Sequence, residues 1–429
     1  MDQLYQHYLE SRKVITDSRK VEPGAVYFAL KGANFDGNDF VMDALTAGCS
    51  LAVTDRPEFI GTKGAFFVPD VLEALQKLAS MHRKRTGIRI VAITGSNGKT
   101  TTKELIAAVL STEMKVWYTQ GNLNNHIGVP LTILAMPEDT ELLVLEMGAN
   151  HPGEIKFLCE LSRPDFGLIT NIGKAHLEGF GSFEGVKKAK AELYNFLGTS
   201  GGQAFVNMDN EVLRSVIGSC HVALGYGTNS NIMAWDAVAD PFLSFSWIKN
   251  SDEVSYKVRT QLTGLYNLEN ALAAITVGIF FGICYDGINR ALETYMPENH
   301  RSQMVETGRN RVVLDAYNAN PSSMKVAIDN FLAMKGDGKL LILGGMKELG
   351  DESRNEHQLL VDRLRAEFKG ECYMIGPEFD ALGPVPRQWL HFDSTEALLE
   401  HLKKSVPEDK LILLKGSRSN RLELAMQYL

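Results

Sequence analysis

The chain has 429 residues, of which 45% are hydrophobic and 22% are charged. These proportions are typical of a globular protein and exclude a disordered, collagen-like or disulfide-stapled chain. The net charge of -8 disfavours a nucleic-acid binder, because such proteins gather basic side chains to neutralise phosphates. At about 150 residues per domain, the length predicts about three domains.

Residues 1–83 are predicted to form a small α/β domain. Short apolar runs such as VYFAL, LAVTD and AFFVP alternate with glycine-rich turns such as KGANFDGND. The chain starts with MDQLYQHYLE, which lacks the basic start and the apolar stretch of an export signal. We therefore expect a cytoplasmic protein.

In residues 84–297, strand-like runs alternate with helical patterns. Examples are IRIVAIT before GSNGKTTTKELIAAVL, LLVLE before MGANHPGEIKFL, and DFGLITN before a long segment through Tyr194. This alternation predicts a central domain with a mostly parallel sheet covered by helices. The longest apolar run, Ala271 to Tyr285, is shorter than the ~20 residues of a membrane span, so we expect a buried helix there and no membrane span.

The helical pattern stops near Met296 and Pro297, where we place a boundary. Residues 298–429 contain further strand-like runs that alternate with helices, namely RVVLDAY, KLLILGG, ECYMIG and KLILLKG. They predict a separate Rossmann-like domain. The expected fold class is therefore α/β, with a small N-terminal domain, a central domain on a mostly parallel sheet and a C-terminal Rossmann-like domain.

The segment TGSNGKTT, from Thr94 to Thr101, has the character of a phosphate loop between a predicted strand and a predicted helix. Its glycines let backbone N–H groups turn toward phosphates, Lys99 can reach the β and γ phosphates of ATP, and Thr100 can bind Mg2+. Ile93 stands where the strict GxxxxGK[ST] pattern has its first glycine, so the loop is a variant, and an ordinary turn with a helix cap is the alternative. The predicted ATP contacts of the loop are Gly95, Ser96, Asn97, Gly98, Lys99, Thr100 and Thr101.

Two residues that follow predicted strands are candidate metal ligands. Glu146 ends the apolar run of residues 142–145, like the acidic residue after a second strand of a nucleotide-binding sheet. His176 follows another strand and would reach the same edge of the sheet. A glutamate at a strand end is often a solvated turn residue, and an isolated histidine is often structural. The phosphate loop is what favours a metal site for Glu146.

A run of lysines on a predicted helix leaves two alternatives open. Lys187, Lys188 and Lys190 precede Glu192. A solvated charged face is the default interpretation of such a run. Composition alone does not identify which lysine, if any, faces the site.

Several long motifs occur in the order seen in the Mur ligase family, whose members are ATP-dependent enzymes of peptidoglycan precursor synthesis. The central part of the chain resembles that family in TGSNGKTTTKE, GNLNNHIGVPLTIL, EMGANHPGEI, ITNIGKAHLEGFGS and KAKAELY. The C-terminal part resembles the member that takes D-alanyl-D-alanine, in VVLDAYNANPSSM, LGGMKELGDES and LKGSRSNRLE. The N-terminal part resembles the domain that holds the UDP-substrate, in TDSRKVEPGAVYFALKGANFDGNDF. The resemblance covers nearly the whole chain.

The resemblance implies a ligase of cell-wall biogenesis, with consequences for cell shape and cell division. Such an enzyme joins D-alanyl-D-alanine to UDP-N-acetylmuramoyl-tripeptide through an acyl phosphate, and forms the pentapeptide precursor, ADP and phosphate. ATP is its co-substrate and Mg2+ its metal, and we expect a monomer. The sequence leaves open whether the third residue of the tripeptide is lysine or a diamino acid.

The resemblance also assigns catalytic and metal-binding roles to single residues. Thr100 and Glu146 would bind one Mg2+ and His176 a second. Lys190 would carry a carbamate derived from CO2, an anion that helps to position the metal. The implied catalytic residues are Lys99, His176 and Lys190.

Further binding residues are implied in all three domains. Those for ATP are Asn267, Asn270, Arg301 and Asp315, and those for the substrates are Ser18, Arg19, Asn124, Asn125 and His126. Tyr266 stands where the family usually has histidine. An asparagine-rich turn without substrate contact is an equal alternative for residues 124–126.

Two other functions are compatible with a phosphate loop. One is another ligase of the superfamily, such as folylpolyglutamate synthase, against which DAYNANPSSM and the N-terminal pattern argue. The other is an ATPase that works as a switch or motor. Phosphate release that requires both UDP-tripeptide and dipeptide would separate the ligase from the ATPase.

Overall fold

The computed structural model of the protein describes residues 1–336, 338–380 and 382–429. Within these ranges the chain forms three β-sheets that follow one another along the sequence, each packed with helices. The expected α/β architecture with mostly parallel sheets is confirmed.

The first sheet lies in the N-terminal part of the chain. Its elements are α1 (Asp2–Ser11), β1 (Val14–Ile15), β2 (Val26–Phe28), α2 (Val41–Thr46), β3 (Leu51–Thr54), β4 (Ala65–Phe67) and α3 (Val71–Thr86). The strands are parallel in the order β1-β2-β3-β4. Helix α3 begins after Asp70, which caps it, and ends at Gly87 in the left-handed conformation. It crosses the expected boundary between residues 83 and 84, and the three domain limits remain predictions.

The second sheet carries the phosphate loop. Its strands are β5 (Arg89–Thr94), β6 (Val116–Tyr118), β7 (Leu142–Glu146), β8 (Phe166–Ile169), β9 (Gln203–Asn207), β10 (His221–Gly227), β11 (Ile232–Ala239), β12 (Phe242–Lys249) and β13 (Tyr256–Thr263). Their order is β13-β12-β11-β10-β9-β8-β5-β7-β6, and the pairs β11/β12 and β12/β13 are antiparallel. Strand β7 is buried throughout, which explains its uninterrupted apolar run.

Helices cover both faces of this sheet. They are α4 (Lys99–Leu110), α5 (Gly128–Leu134), α6 (Glu154–Ser162), α7 (Leu177–Phe180), α8 (Phe183–Ser200), α9 (Glu211–Ser215), α10 (Asn267–Phe280) and α11 (Tyr285–Thr294). The expected buried helix is α10, but the apolar run is broken at Gly282, whose φ is 84°, and α11 starts anew at Tyr285. Each helix in the described ranges falls short of the length or apolar character that a membrane crossing requires.

Three strand ends meet at one edge of the second sheet. Strand β5 lies between β7 and β8, with Ile93 opposite Glu146 and Thr94 opposite Ile169. Because these strands are parallel, the loops that follow them leave the sheet at the same edge, where α/β folds bind ligands. The phosphate loop, Glu146 and the segment that carries His176 therefore come together.

The third sheet faces that edge. Its elements are β14 (Gln303–Glu306), β15 (Arg311–Asp315), α12 (Pro321–Ala333), β16 (Lys339–Gly344), α13 (Ser353–Glu367), β17 (Glu371–Ile375), β18 (Trp389–Phe392), α14 (Thr395–Lys404) and β19 (Leu411–Lys415). The order is β14-β15-β19-β16-β17-β18, with β14 antiparallel to β15 and the other pairs parallel. Two charged residues, Asp315 and Lys415, end adjacent strands and lie opposite each other.

Candidate active site

The phosphate loop, residues 95–101, is held in one conformation by the chain that follows β8. The backbone N–H of Ser96 donates to Asn171 O at 3.0 Å, and that of Asn97 donates to Asn171 Oδ1 at 3.0 Å. Gly95 has a φ of 147°, and a Cβ there would lie 2.0 Å from Thr170 Oγ1. Glycine is therefore required at residue 95, and contacts within the protein fix the conformation of the loop.

The loop leads into the N-terminus of α4, a favourable place for an anion. Gly98 precedes the helix with a φ of 77°, and a Cβ there would lie 2.6 Å from Asn270 Oδ1. Lys99 Nζ donates to Gly95 O at 2.7 Å and to Ser96 O at 3.3 Å. Burial lowers the pKa of Lys99. Its side chain thus folds back over the backbone that would cradle phosphates.

Glu146 is a buried carboxylate at the end of β7. Its side chain is 2% exposed, and Lys103 Nζ lies 4.0 Å from its Oε2. Its Oε1 accepts a hydrogen bond from Asn124 Nδ2 at 2.7 Å. Within the described residues, Oε2 has no hydrogen-bond partner. A buried carboxylate oxygen without a partner raises the free energy of the folded state, and a bound cation would supply the missing partner.

His176 lies just before α7, with a left-handed φ of 51°. It lines the cavity into which Glu146 also opens. Its Nδ1 lies 2.5 Å from Glu348 Oε2 in the loop after β16. This contact lowers the pKa of Glu348. His176 therefore faces the cavity and also contacts the third sheet's domain.

One of the three lysines on α8 points into the protein. Lys190 is 1% exposed, whereas Lys188 is exposed and Lys187 is partly exposed. Lys190 Nζ donates to Ala149 O at 3.4 Å and lies 5.4 Å from the ring centre of Phe180. Burial lowers the pKa of Lys190 to about 7. The side chain approaches the cavity wall at Ala149 from inside the protein.

A network of amides borders the cavity at the start of α10. Asn270 Nδ2 donates to Asn267 Oδ1 at 2.8 Å, and Thr102 Oγ1 donates to Asn270 Oδ1 at 2.9 Å. The hydroxyl of Tyr266 lies 2.8 Å from Ser302 Oγ, at the start of the C-terminal part. The two asparagines are therefore fixed against the phosphate-loop helix, and Tyr266 joins them to the chain that enters the third sheet.

The C-terminal part of the chain contributes two cations and a carboxylate. The guanidinium of Arg301 stacks on Tyr317, 3.7 Å from the ring centre. Lys415 Nζ donates to Asp315 Oδ2 at 2.6 Å, and the two side chains are 2% and 15% exposed. Such a pair is costly to break, because removing either partner would leave a buried charge uncompensated.

The third sheet's domain packs directly on the phosphate loop. Asn320 Nδ2 donates to Asn97 Oδ1 at 2.8 Å, although the two residues are 223 positions apart. Lys174 Nζ donates to Glu356 Oε1 at 2.7 Å. These contacts close one cavity of about 780 Å³ between the second and third sheets. Small-molecule sites typically have volumes of roughly 300–1,000 Å³.

Three family profiles match the chain. Residues 11–84 match the Mur ligase family catalytic domain, residues 93–278 the Mur ligase middle domain, and residues 300–418 the Mur ligase glutamate ligase domain. The chain belongs to the Mur ligase family.

Individual Mur ligases resemble the chain over nearly its full length. The UDP-N-acetylmuramoyl-tripeptide–D-alanyl-D-alanine ligase of Bacillus subtilis is 36% identical over 420 residues, which cover 96% of this chain and 91% of the relative. The ligase of that name from Escherichia coli is 36% identical over 419 residues, which cover 96% and 92%. Among solved structures, MurF from Acinetobacter baumannii matches with a TM-score of 0.89 at 29% identity, covering 99% of this chain and 97% of that one. MurF ligase from Thermotoga maritima in complex with ADP matches with a TM-score of 0.86 at 29% identity, covering 98% and 97%.

Most of the site residues expected for a Mur ligase line the cavity. They are Ser96, Asn97, Gly98, Lys99, Thr100, Thr101, Asn124, Asn125, His126, Glu146, His176, Asn267, Asn270, Arg301 and Asp315. Gly95, the first residue of the loop, and Lys190, which lies behind Ala149, are not among the lining residues. Ser18 and Arg19 lie elsewhere, in a turn after β1 where Arg19 Nε donates to Asp17 Oδ1 at 2.9 Å. Their expected contact with the uridine nucleotide remains a prediction.

The asparagine-rich turn divides into residues with different tasks. Asn124 holds the carboxylate of Glu146. Asn125 Oδ1 accepts from the backbone N–H groups of Ile127 and Gly128 at 3.1 and 2.9 Å, so its side chain caps α5. His126 is exposed at the rim of the cavity. The expected substrate contacts of residues 124–126 remain a prediction.

Sequence reasoning missed several residues of the wall. They are Asn122, Asn150, Glu154, Tyr317, Asn318, Asn320, Ser323 and Lys415. For Lys415 a signal was present, because it ends the buried run LILLK as Glu146 ends LLVLE. A charge that closes an otherwise apolar parallel strand faces the ligand edge of the sheet.

Proposed function

We propose that this Mur ligase joins D-alanyl-D-alanine to the terminal carboxylate of UDP-N-acetylmuramoyl-tripeptide and converts ATP to ADP and phosphate. The observation that carries the proposal is the cavity of about 780 Å³, in which the phosphate loop meets a buried strand-end carboxylate and the guanidinium of Arg301. The relatives that share 36% identity over 96% of this chain are named for this reaction.

The chemistry requires activation, because a carboxylate is a poor acyl donor. Transfer of the γ-phosphoryl group to an oxygen of the tripeptide carboxylate breaks the bond to ADP and forms an acyl phosphate. The dipeptide amine attacks the carbonyl carbon and loses a proton, and the tetrahedral intermediate expels phosphate as the amide forms. Because the first step brings anions together, the cleft must supply positive charge and keep water out.

The residues of the cleft meet these needs. The N–H groups at the start of α4 would bind the β and γ phosphates, and Lys99 would exchange its loop carbonyls for phosphate oxygens. Arg301 adds positive charge on the opposite wall, where Lys415 is paired with Asp315. Asn267 and Asn270 would contact the adenine. The closed third domain covers the reacting groups and limits access of water.

We propose as Mg2+ ligands those residues whose side-chain atoms suit this metal chemically. The buried Oε2 of Glu146 and the hydroxyl of Thr100 are oxygen ligands of the kind that Mg2+ prefers, and His176 lines the same cavity. Mg2+ supplies positive charge that offsets the repulsion between the carboxylate and the phosphates. Asn124 fixes the other oxygen of Glu146 and so orients the carboxylate.

Glu146→Ala and His176→Ala should each raise the Mg2+ concentration needed for activity. Each change removes one metal contact from a site whose remaining ligands would be water and phosphate oxygens. Ligation rates are measured over a titration of Mg2+ at saturating ATP. Glu146→Gln should act in the same direction, and it keeps the size of a side chain that packs beside Lys103.

Exposed residues of the same types provide controls for this titration. Glu160→Ala on α6 and His221→Ala on β10 alter side chains that do not line the cavity, and both should keep the wild-type Mg2+ dependence. Wild-type titration curves for both Glu146→Ala and His176→Ala would refute the metal roles.

Arg301→Ala should weaken ligation more than it weakens nucleotide binding. Most phosphate contacts come from the central domain and would survive, whereas closure of the third domain over the nucleotide would be lost. Ligation kinetics, nucleotide affinity by calorimetry and X-ray scattering with nucleotide and UDP-tripeptide bound are the measurements. We expect a more open shape for the variant.

Asp315 tests the same closure but needs a milder change. Asp315→Ala would leave Lys415 buried without its counter-ion, a loss of about 3–5 kcal/mol in folding free energy. Asp315→Asn keeps a hydrogen-bond acceptor for Lys415 and should show the same pattern as Arg301→Ala. Arg309→Ala, an exposed arginine of the third domain, is the control. Full ligation and an unchanged compact shape in both cavity variants would mean that the ATP chemistry is complete without the third domain.

The ligase is distinguished from a phosphate-loop ATPase by what triggers phosphate release. Release should require UDP-tripeptide and D-alanyl-D-alanine together, and phosphate should appear in equal amount to the pentapeptide product. Parallel assays with tripeptides that end in lysine or in diaminopimelate would identify the third residue. Phosphate release with ATP alone at the full rate would favour the switch or motor ATPase.

We further propose that the protein acts as a monomer in the cytoplasm and that Ser18 and Arg19 contact the uridine nucleotide. Sedimentation of the full chain tests whether the protein is a monomer. The contact with the uridine nucleotide is tested by the affinity for UDP-tripeptide of Arg19→Ala, in which the ion pair with Asp17 is removed.

A further inference from the structure

The helix that follows the phosphate loop also holds the segment that leads to the third sheet. Glu104 lies on α4, and its Oε2 accepts hydrogen bonds from the hydroxyl of Tyr295 at 2.6 Å and from Asn299 Nδ2 at 2.9 Å. Burial and the carboxylate of Glu104 raise the pKa of Tyr295, so its hydroxyl stays protonated and donates. One carboxylate thus ties residues 295–299 to the nucleotide-binding helix.

A buried lysine balances the charge of this carboxylate. Lys103 Nζ lies 3.5 Å from Glu104 Oε1 and 4.0 Å from Glu146 Oε2, and the lysine side chain is 1% exposed. Among the described residues, this ammonium has no hydrogen-bond partner and interacts with the two carboxylates by charge alone. Lys103 thus links Glu146, which faces the cavity, to Glu104, which holds the linker, residues 295–299.

The tethered segment delivers Arg301 to the cavity. Arg301 follows Asn299 by two residues, and its neighbours His300 and Ser302 have left-handed φ values of 56° and 51°. Such values are uncommon for residues other than glycine, and surrounding contacts stabilise them here. Glu104 supplies these contacts on one side of the turn, and Tyr266 supplies them on the other through Ser302. The chain on either side of Arg301 is therefore held by the central domain, while Tyr317 of the third domain stacks on the guanidinium.

We propose that Glu104 is a positioning residue: it fixes the linker and thereby places the guanidinium of Arg301 where it can contact the nucleotide. The inference rests on the proposed ligase function, because Arg301 is assigned to ATP through it. Glu104 acts through Tyr295 and Asn299, and it need not touch ATP itself. The phosphate-loop helix thereby carries both the phosphate-binding residues and the tether that places the third domain's arginine.

Tyr295→Phe removes one donor to Glu104 and keeps the ring. A hydrogen bond to a charged group is worth roughly 10- to 100-fold in an equilibrium, so we expect kcat/KM for ATP to fall about 10-fold. The double variant with Asn299→Ala should fall further. The matched control is Tyr285→Phe, since the Tyr285 hydroxyl donates to Asp252 at the same distance of 2.6 Å, outside the residues that line the cavity. It should leave kcat/KM unchanged.

A double-mutant cycle with Arg301→Ala tests whether the effect passes through the arginine. Tyr295→Phe should change kcat/KM little in the Arg301→Ala background, because the residue that it positions is already gone. Equal losses in both backgrounds would overturn the proposal, since the tyrosine would then act independently of Arg301. Wild-type kinetics for the double variant with Asn299→Ala would overturn it as well.

Amide hydrogen exchange separates this inference from the proposed function. In the protein without substrates, the amides of residues 295–302 should exchange faster in Tyr295→Phe than in the wild type, and no faster in Tyr285→Phe. This result does not depend on which reaction the enzyme catalyses. If the wild type failed to ligate, the proposed function would be refuted, whereas the exchange rates would still report on the tether. Unchanged exchange in the variant would refute the tether even in an active ligase.

Discussion

Lys99→Ala should lower the turnover of ligation by roughly 10²- to 10³-fold, the range for deleting one preorganised group that stabilises charge in a transition state. The Nζ of Lys99 donates to the carbonyls of Gly95 and Ser96, so the ammonium is held directly above the loop backbone. The side chain is partly buried in the wall of the cavity, where charges interact more strongly than in bulk water. Its charge should therefore count strongly when the γ-phosphoryl group moves.

Assays of pentapeptide formation that are quenched at fixed times measure the loss of turnover, and thermal melting shows whether the variant is folded. Lys115→Ala is the control, because Lys115 is an exposed lysine that pairs with Asp139 near the surface of the same domain. It should ligate at the wild-type rate. Near-normal ligation by a folded Lys99→Ala protein would remove the assignment of the phosphate loop.

The parts of the site that the sequence predicts well are those built from one continuous segment. A strand, a glycine-rich turn and a helix in succession form the phosphate loop, and the chain from β5 to α4 has this form. Glu146 could be found for a related reason, since a charge at the end of a buried parallel strand lies at the ligand edge of the sheet. Both predictions depend on local pattern and on one general property of parallel sheets.

The parts that the sequence predicts poorly depend on which partner a side chain meets. Asn124 and Asn125 are adjacent and chemically identical, yet one orients Glu146 and the other caps α5. The contact between Asn97 and Asn320 joins residues 223 positions apart, and only the packing of two domains creates it. Residue type and spacing carry no information on such pairings.

Tyr266 shows how a departure from a family pattern can be absorbed. The family usually has histidine there, and a tyrosine in its place raises a question about the adenine contacts proposed for Asn267 and Asn270. The hydroxyl of Tyr266 lies 2.8 Å from Ser302 Oγ, while Asn267 and Asn270 keep their mutual hydrogen bond. In this chain the amide network is therefore complete beside Tyr266, whose hydroxyl also anchors the turn that contains Arg301.

Lys190→Ala should inactivate the enzyme, and added short carboxylic acids should restore part of the activity. Lys190 is the buried lysine of α8, and burial lowers its pKa to about 7. Carbon dioxide reacts with a neutral amine, and the neutral fraction increases as the pH rises through the pKa. If Lys190 carries the carbamate that the family resemblance implies, carbamylation, and with it ligation by the wild type, should decline as the pH falls below about 7. Ligation rates with and without bicarbonate, and a carbon-13 carbamate signal, measure this directly.

The choice of rescuing agent decides what Lys190 does. If the lysine acts as a carbamate, its loss removes an anion near the metal, and acetate or propionate can occupy the space that Ala leaves. If it acts as a cation, a small amine should restore activity and an acid should not. Lys187→Ala is the matched control on the same helix, and its partly exposed side chain should be dispensable. Rescue by amines, or equal damage at Lys187, would show that Lys190 works as a positive charge or only packs against Ala149 and Phe180.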